Sequence, residues 1–329
     1  MGFTFCTCRY VGPQMTLFYY DPLFQEHNTG QHPENAGRLV PVLKNLSFVG
    51  LDATCKRPAW QAATVAQLAY VHSPAYIDRV EQFAAQGGGQ IEVDTVVSPK
   101  SFAVASLAAG AACDAARRVV AGEDVTAFCL LRPPGHHALV DQPMGFCLFN
   151  SVAVAARLAQ RELELDRLLI VDFDVHHGNG TQDVFWEDGN VGFLSMHRYP
   201  FYPGSGAADE IGAGPGLGAT RNLPIAFGTP PAEQLRRFRS ELESFADHMR
   251  PQLVLLSAGF DSHRLDPIGS LGLESEDFRE LTKAVLDVAR THASGRVISV
   301  LEGGYNPQAL AECVEVHLEQ LLAGTDGDA

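Results

Sequence analysis

Residues 168–182 read LLIVDFDVHHGNGTQ, and the architecture of the chain can be worked out from this stretch. Its first six residues, LLIVDF, are apolar except for Asp172, which predicts a buried β-strand over 168–173. The polar residues that follow directly, Asp174 to Asn179, predict a turn at the carboxyl end of that strand. A buried strand followed by carboxylates and imidazoles is typical of a parallel sheet with a functional edge.

The same arrangement recurs along the chain. Further apolar runs predict strands over 16–20, 125–131, 191–196, 253–257 and 297–301. Helical patterns lie at 38–48, 73–86, 98–122, 149–162, 231–249, 274–291 and 307–322. Ser98 is suited to cap the third of these helices and Gly122 to end it. Apolar strands that alternate with helices predict a parallel sheet covered on both faces.

Five turns bring chemically active side chains to the ends of these strands. The turns read RPPGHH (132–137), DVHHGN (174–179), HRY (197–199), AGFD (258–261) and EGGY (302–305). Because the carboxyl ends of parallel strands meet at one edge of a sheet, we expect the turns to converge there. This convergence indicates an enzyme.

Composition and charge exclude several classes of protein. The chain has 329 residues, of which 46% are apolar and 19% charged, so it is neither disordered nor a coiled coil. Its 39 acidic and 24 basic residues give a net charge of −15, which argues against nucleic acid as a direct partner. No run of 18 apolar residues is present, so no membrane-spanning segment is expected.

One domain is predicted over residues 15–322, because no linker, repeat or charge block interrupts the pattern. Residues 1–14 are then an N-terminal extension and residues 323–329 a C-terminal tail. The seven cysteines are odd in number and scattered, which predicts free thiols in a reducing compartment, taken as the cytoplasm. The oligomeric state stays open, a homo-oligomer included.

Three residues of the first stretch predict a metal site. Strand alternation places Asp172, Asp174 and His176 on one face. Without a cation these groups would repel or stay partly protonated, so a divalent metal is favoured over the alternative, a hydrogen-bonded loop end. Asp261 is a candidate further ligand from another strand. Two carboxylates, one imidazole and an open position are typical of catalytic zinc, and Fe²⁺, Co²⁺ or Mn²⁺ would also suit them.

Two other turns supply candidates for proton transfer and charge stabilisation. His136 and His137 follow a stiff Pro-Pro-Gly turn and are candidates for general acid–base catalysis or metal binding. Tyr305 follows two glycines, which allow a close approach of the backbone, and its phenol is a candidate donor to a developing oxyanion. The alternatives are an inert histidine pair and a packed surface tyrosine.

Five segments together resemble the zinc-dependent histone deacetylase family, most closely its class II members and bacterial deacetylase-like amidohydrolases. The segments are RPPGHHA (132–138), GFCLFN (145–150), VDFDVHHGNGTQ (171–182), SAGFDSHRLDP (257–267) and LEGGY (301–305). They occur in the family's order, and the resemblance extends from Met15 to about Leu322. It implies an arginase-like single α/β domain with a central parallel sheet of about eight strands flanked by helices.

The resemblance implies metal sites at matching residues. The zinc ligands are Asp174, His176 and Asp261, with Fe²⁺ as the alternative metal in the cell. A structural K⁺ site, several of whose ligands are backbone carbonyls, matches Asp172, Asp174, His176, Ser195 and Met196. A second alkali-metal site matches residues near Phe185, Asp188 and Val191.

The resemblance also implies a catalytic set. His137 matches the general base that later acts as general acid, and His136 matches its electrostatic partner. Asp172 would orient His136, and Asn179 would orient His137, at a position where the family often has Asp. Tyr305 would polarise the acyl carbonyl.

The implied substrate site is an acyl-lysine tunnel. Its matching residues are Asp94, Gly145, Phe146, Tyr202 and Ile268. Asp94 matches a rim residue that holds the substrate backbone, and Tyr202 stands where the family usually has Phe. Ile268 occupies a specificity position at which polyamine-preferring relatives carry Glu. Arg38, in HPENAGR, resembles the arginine of an internal channel through which acetate leaves.

These matches imply a zinc-dependent deacetylase that hydrolyses Nε-acetyl-lysine, or a related acyl-lysine, to lysine and acetate. Its partner would be an acetylated peptide or protein, or a small acetylated amine. Three alternatives stay open. They are an amidohydrolase for acetylpolyamines or other small acetylated amines, a binuclear manganese ureohydrolase whose second-metal motif would be Asp261, His263 and Asp266, and a catalytically silent acyl-lysine binder.

Overall fold

Residues 15–323 are described in the computed structural model of this chain. The predicted N-terminal extension, residues 1–14, and residues 324–329 of the predicted tail lie outside the described residues. The strands are β1 (Leu17–Tyr19), β2 (Gly89–Glu92), β3 (Thr95–Val97), β4 (Thr126–Cys129), β5 (Leu168–Asp172), β6 (Val191–Arg198), β7 (Thr220–Ile225), β8 (Leu253–Ala258) and β9 (Val297–Leu301). The helices are α1 (Leu39–Val49), α2 (Val65–Leu68), α3 (Pro74–Ala85), α4 (Ser101–Val120), α5 (Ser151–Glu162), α6 (Asn179–Phe185), α7 (Pro231–Met249), α8 (Ser275–His292) and α9 (Pro307–Ala323).

Seven strands form one parallel sheet in the order β1-β4-β9-β8-β5-β6-β7, while β2 and β3 form a separate antiparallel hairpin. The prediction of a single α/β domain with a central parallel sheet flanked by helices is confirmed. The sheet has seven strands within residues 15–323, where about eight were expected.

Each central strand is apolar on both faces because helices cover both sides of the sheet. In β5, Leu169 and Val171 join the core on one side, while Leu168 and Ile170 join the core on the other side. The first core packs against α1, α7, α8 and α9, and the second packs against α4 and α5. The alternation of β5 side chains therefore ties the two cores to one sheet.

The register of the central strands brings their carboxyl ends to one level. Asp172 of β5 is paired with Ser195 of β6 on one side and with Ser257 of β8 on the other. Ala258 of β8 is paired in turn with Leu301 of β9. The polar turns that follow these strands consequently lie at the same edge of the sheet.

The start of α4 differs from the prediction. The helix begins at Ser101, and Lys100 rather than Ser98 occupies its N-cap position. The hydroxyl of Ser101 accepts the backbone N–H of Ser98 (2.7 Å), so the predicted cap is wrong. At the other end Gly122 follows the helix with a φ of 76°, a conformation that suits glycine, as predicted.

Two strand features are absent from the sequence prediction. β7 contains Asn222 and Pro224, which interrupt the apolar pattern, and Pro224 is tolerated because β7 is an edge strand. The strands of the β2–β3 hairpin are four and three residues long, too short to show a clear period. This hairpin carries Asp94 at its turn.

No helix between residues 15 and 323 has the length and apolarity needed to cross a bilayer. Five cysteines lie in the same part of the chain, and all five are buried and free of disulfides. Cys6 and Cys8 lie outside the described residues.

Candidate active site

Three buried side chains at the carboxyl ends of β5 and β8 form a candidate metal centre. Asp174 and His176 lie in the turn after β5, and Asp261 lies in the turn after β8. One ligand atom of each lies within 4.8 Å of the others. The fold thus brings together the three residues that the sequence predicts as zinc ligands, which we call the metal triad.

The electrostatics of the metal triad suit a bound cation. Nδ1 of His176 lies 3.0 Å from Oδ1 of Asp174 and 3.2 Å from Oδ2 of Asp261. Burial opposes the charge on His176, but the two carboxylates raise its pKa to about 10. Burial and the charge of Asp174 raise the pKa of Asp261 to about 7. Oδ2 of Asp261 has no hydrogen bond of acceptable geometry among the described residues, so this donor set fits a zinc ion.

His136 carries a positive charge in this site. It lies in the turn after β4, and its Nδ1 is 2.9 Å from Oδ2 of Asp172, with both side chains buried. Burial lowers the pKa of an imidazole, but the carboxylates of Asp172 and Asp174 outweigh it and raise the pKa of His136 well above its ordinary value. The structure therefore pairs Asp172 with the histidine that the resemblance assigns to it.

His137, in contrast, is neutral. Its Nδ1 lies 2.7 Å from Oδ1 of Asn179, which can only accept, so Nδ1 holds the proton and Nε2 keeps a free lone pair. Burial and the charge of His136, whose ring centroid is 4.0 Å away, lower the pKa of His137 well below its ordinary value. The two adjacent histidines therefore differ in charge at neutral pH.

Tyr305 lies in the turn after β9. Its backbone N–H donates to Oδ2 of Asp266 (2.6 Å), and its ring packs edge-on against Phe146 with the centroids 5.6 Å apart. Burial raises the pKa of the phenol well above its ordinary value, so the hydroxyl stays protonated and can donate a hydrogen bond.

Gly303, two residues before Tyr305, lies where there is no room for a side chain. Its N–H donates to Oδ2 of Asp174 (2.8 Å), which ties the β9 turn to the metal triad. A Cβ at this position would lie 2.5 Å from the same oxygen and closer still to Oδ2 of Asp261. A side chain at position 303 would therefore displace two of the three predicted ligands.

A narrow cavity of about 240 Å³ adjoins the metal triad. It is lined by Asp94, His137, Gly145, Phe146, His176, Phe201, Tyr202, Ile268 and Tyr305. All five residues predicted to contact an acyl-lysine are among them. Phe201, which the sequence does not single out, stacks on the His176 ring with the centroids 5.3 Å apart.

Asp94 supports the wall of this cavity that Gly145 and Phe146 form. Its Oδ1 accepts the N–H of Gly145 (3.0 Å) and the hydroxyl of Thr95 (2.8 Å). Gly145 and Phe146 are the central residues of a tight turn with φ of 55° and 70°, a backbone conformation that favours glycine. Burial and the charge of Asp94 raise the pKa of the Tyr202 phenol, which also lines the cavity, well above its ordinary value. Asp94 therefore holds in place the turn that carries Phe146.

The residues predicted for a structural K⁺ site lie together at the ends of β5 and β6. They are Asp172, Asp174, His176, Ser195 and Met196. Asp172 and Ser195 are paired across the two strands. The hydroxyl of Ser195 is 2.9 Å from Nδ1 of His197, so part of its bonding capacity is already used.

The second predicted alkali-metal site, near Asp188, lies apart from the carboxyl ends of β5 and β6. Asp188 lies in a separate cavity of about 600 Å³ on the outside of β6 and α6. Its carboxylate pairs with the Arg157 guanidinium and accepts a hydrogen bond from Gln160 (3.1 Å). An arginine in contact with the carboxylate weakens its attraction for a cation.

Of the residues of the manganese alternative, Asp261 belongs to the metal triad, whereas His263 and Asp266 do not. Asp266 accepts the backbone N–H groups of Ile268 and Gly269 (2.9 Å each) as well as that of Tyr305, so it holds turns in place. Nδ1 of His263 accepts the N–H of Leu265 (3.2 Å). Across residues 15–323 no second group of three or more acidic, histidine or cysteine ligands accompanies the triad.

Arg38 is buried behind Tyr305 and does not line the 240 Å³ cavity. Its Nε donates to the carbonyl of Gly304 and its Nη2 to the carbonyl of Glu302, both at 2.7 Å. Its Cζ lies 4.7 Å from the centroid of the Tyr305 ring. The structure thus places Arg38 against the turn that carries Tyr305.

Two acidic residues of the site are missed by sequence reasoning. Glu302 accepts the N–H groups of Gly135 (2.6 Å) and His136 (3.2 Å) and the hydroxyl of Ser257 (3.1 Å), so it fixes the histidine turn. Glu34 contacts two arginines, Arg132 and Arg38. Neither residue has the sequence context of a metal ligand or of an acid–base catalyst. The one signal for each is that a carboxylate stands within a segment, HPENAGR or LEGGY, whose other residues are assigned to the site.

Comparisons with known proteins point the same way. The sequence profile of the histone deacetylase domain matches residues 32–321. A probable deacetylase of Methanothermobacter thermautotrophicus is 38% identical over 297 residues, which cover 89% of this chain and 87% of the relative. Histone deacetylase 14, chloroplastic, of Arabidopsis thaliana is 36% identical over 90% of this chain and 74% of its own length. The crystal structure of the HDA15 HD domain matches with a TM-score of 0.90 at 33% identity, covering 95% of this chain and 89% of that one.

Proposed function

The chain belongs to the histone deacetylase family of amide-bond hydrolases, and we propose that it is a zinc-dependent deacetylase acting on Nε-acetyl-lysine or a related acyl-lysine. The products would be the free lysine and acetate or the matching carboxylate. The observation that carries this proposal is the metal triad beside a narrow cavity that His137 and Tyr305 also line.

Asp174, His176 and Asp261 would hold the zinc ion. When bound, zinc supplies a Lewis acid that polarises the acyl carbonyl and lowers the pKa of water. The unsatisfied oxygen of buried Asp261 supports this assignment. Every other step falls to the chain's own side chains.

His137 would move the proton. Its neutral Nε2 accepts a proton from the attacking water as the new C–O bond forms. The same nitrogen then donates that proton to the amine as the amide C–N bond breaks. The hydrogen bond from Nδ1 to Asn179 holds the ring in the required tautomer throughout.

His136 and Tyr305 would stabilise the charge that develops. The Tyr305 hydroxyl donates to the acyl oxygen as this oxygen gains negative charge. His136 stays protonated against Asp172, and its fixed positive charge is in place before the reaction begins. Such preorganised groups need no reorganisation when the barrier is crossed.

The cavity suits an unbranched chain bearing an acyl group. Phe146 and Tyr202 provide aromatic walls, and Ile268 adds an apolar surface. Acetyl-lysine in a peptide fits this description. A small acetylated amine, such as an acetylpolyamine, is the second candidate, because the carboxylate of Asp94 at the cavity would attract its remaining ammonium group.

Further assignments follow from the family. K⁺ would bind at the ends of β5 and β6, and Arg38 would line the path by which acetate leaves. Residues 15–322 would be the catalytic domain. We place the protein in the cytoplasm, in keeping with the five cysteines of residues 15–323, which are all buried and free.

Acetate release from an acetyl-lysine peptide tests the proposal. The protein would be assayed as purified, after chelation, and after reloading with zinc, and we expect activity to be lost and then restored. Tyr305→Phe should lower turnover by roughly 10²–10³, the usual effect of removing one oxyanion donor. Tyr70→Phe, which removes the surface hydroxyl that donates to Glu162, is the matched control and should change nothing.

The proposal fails if the zinc-loaded protein releases no carboxylate from acyl-lysine peptides of any chain length. Acetate release from acetylpolyamines alone would instead identify small acetylated amines as the substrate class. Activity with manganese and a guanidino substrate would instead support the ureohydrolase.

A further inference from the structure

Glu34 is a completely buried carboxylate that the proposed mechanism does not use. It lies between the two short 3-10 helices Pro22–Glu26 and Ala36–Arg38, outside every strand and every long helix. Its oxygens contact two arginines, Arg132 in the turn after β4 and Arg38 at the end of the second 3-10 helix. A buried acid in this position needs a physical explanation, because an unpaired charge would be costly there.

The first arginine holds Glu34 in place. Nε of Arg132 is 2.5 Å from Oε1 of Glu34, and its Nη2 is 2.7 Å from Oε2, so the pair is bidentate. The same guanidinium also donates to the carbonyls of Phe24 (2.8 Å) and His27 (3.2 Å). With both of its oxygens engaged, Glu34 has one fixed orientation.

The second arginine leads to the catalytic tyrosine. Nη1 of Arg38 donates to Oε1 of Glu34 (3.0 Å). Its remaining nitrogens hold the carbonyls of Glu302 and Gly304, and its Cζ faces the Tyr305 ring at 4.7 Å. Arg38 therefore grips the Gly-Gly turn from behind, and Glu34 determines where Arg38 lies.

We propose that Glu34 is a positioning residue that sets the Tyr305 phenol through Arg38, with Arg132 as its anchor. This inference rests on the proposed function for its kinetic test. The N–H groups of Gly303 and Tyr305 tie this turn to Asp174 and Asp266. Arg38 adds a second constraint, because it holds the carbonyls of Glu302 and Gly304 and faces the Tyr305 ring.

Charge supports this assignment. Burial opposes ionisation of Glu34, but Arg132 and Arg38 outweigh it and lower its pKa to about 2. Glu34 is thus ionised whenever the enzyme works, and the two guanidiniums depend on it as their buried counter-ion. Neutralising Glu34 at constant size should weaken its contact with Nη1 of Arg38, so that this guanidinium can shift on the two carbonyls that still hold it and change its position against the Tyr305 ring.

Glu34→Gln makes this change. A displacement of about 1 Å at a reacting group can cost about 100-fold in rate. We therefore expect kcat to fall about 10- to 100-fold while KM changes less than about threefold. Glu162→Gln is the matched control, since Glu162 also pairs with an arginine (Arg117, 2.6 Å) but lies at the surface away from the site. It should leave both constants unchanged.

A double-mutant cycle separates positioning from general support. If Glu34 acts through the phenol, Glu34→Gln should cost little in a Tyr305→Phe background, because the group that it positions is already gone. A loss of the same factor in both backgrounds would overturn the inference. Glu34→Asp, which keeps the charge but draws the carboxylate back by about 1.5 Å, should restore part of kcat. Glu34→Asp also serves as the test variant if Glu34→Gln does not fold.

A spectroscopic measurement works without turnover. With 3-fluorotyrosine placed at position 305, the ¹⁹F resonance should shift in Glu34→Gln and stay unchanged in Glu162→Gln, because only the first variant changes the position of Arg38 against the ring. An unchanged resonance in folded Glu34→Gln would refute the positioning role. If the wild-type protein proved inert towards acyl-lysines, this readout would still decide the inference, and only the proposed function would fail.

Discussion

Replacing Asn179 by Asp should move the pH dependence of catalysis in one direction. In the structure Nδ1 of His137 donates to the neutral amide oxygen of Asn179 at 2.7 Å. Burial and the positive charge of His136 hold the pKa of His137 well below its ordinary value, so the imidazole is free to accept a proton at neutral pH. A carboxylate at position 179 would add a negative charge against the same nitrogen and favour the protonated ring.

The size of the shift can be bounded. Two unit charges about 4 Å apart attract by about 4 kcal/mol at an effective dielectric constant of about 20. Since 1.36 kcal/mol corresponds to one pKa unit, the upper limit is about three units. Carboxylates adjacent to ionisable groups shift them by about one to three units, which agrees with that limit. We therefore expect the pKa of His137 to rise by about one to three units in Asn179→Asp.

The assay is the pH profile of kcat/KM for deacetylation of an acetyl-lysine peptide. Because the base must be unprotonated, the acid limb of this profile should move to higher pH by the same amount. Gln86→Glu adds the same charge on the exposed end of α3, far from the site, and serves as the control. An acid limb that does not move in Asn179→Asp would show that His137 does not titrate as the catalytic base.

Three further predictions concern binding and stability. Gly303→Ala should abolish zinc binding, measured as metal content after dialysis, because its Cβ would displace the carboxylates of Asp174 and Asp261. The pKa of Glu34 falls from 4.5 to about 2 on folding, so its contribution to the free energy of unfolding is present above pH 4.5 and lost as pH falls towards 2. Urea denaturation at pH values between 4.5 and 2 should therefore show that the unfolding free energy falls by about 3 kcal/mol less in Glu34→Gln than in wild type. Asn150→Ala should lower the unfolding free energy by about 1–2 kcal/mol, measured by urea denaturation, because its side chain caps α5 through the N–H of Ala153.

The parts of the fold that the sequence predicts are those with a strong local signal. The four residues that precede Asp172 in β5 are all apolar because both faces of the strand are covered, and such a pattern needs no tertiary information. β7 lacks this signal because one edge of the strand is open, which allows Asn222 and Pro224. The cap of α4 fails for another reason: the hydroxyl of Ser98 accepts the N–H of Asn28 (3.1 Å), a partner 70 residues away.

The residues of the candidate site divide in the same way, into those that the sequence identifies and those that it does not. Asp174, His176 and Asp261 are found because their chemistry is unusual at strand ends, and the fold then brings them within reach of one ion. Glu34 escapes detection because its importance comes from Arg132, 98 residues away, and from the contacts of Arg38 with a turn more than 260 residues away. Phe201 escapes because an aromatic residue in a loop is ambiguous until its stacking partner is known.

The bonds that complete the metal triad also have a consequence for synthesis on the ribosome. The N–H of Val175 bonds with Asp261, 86 residues later, and the N–H of Gly303 bonds with Asp174 across 129 residues. A nascent chain that has released β5 but not β9 therefore holds the first two ligands without the backbone that aligns them. Tight binding of the proposed zinc ion should coincide with the emergence of β9, so that retention of the metal would report that this last strand has joined the sheet.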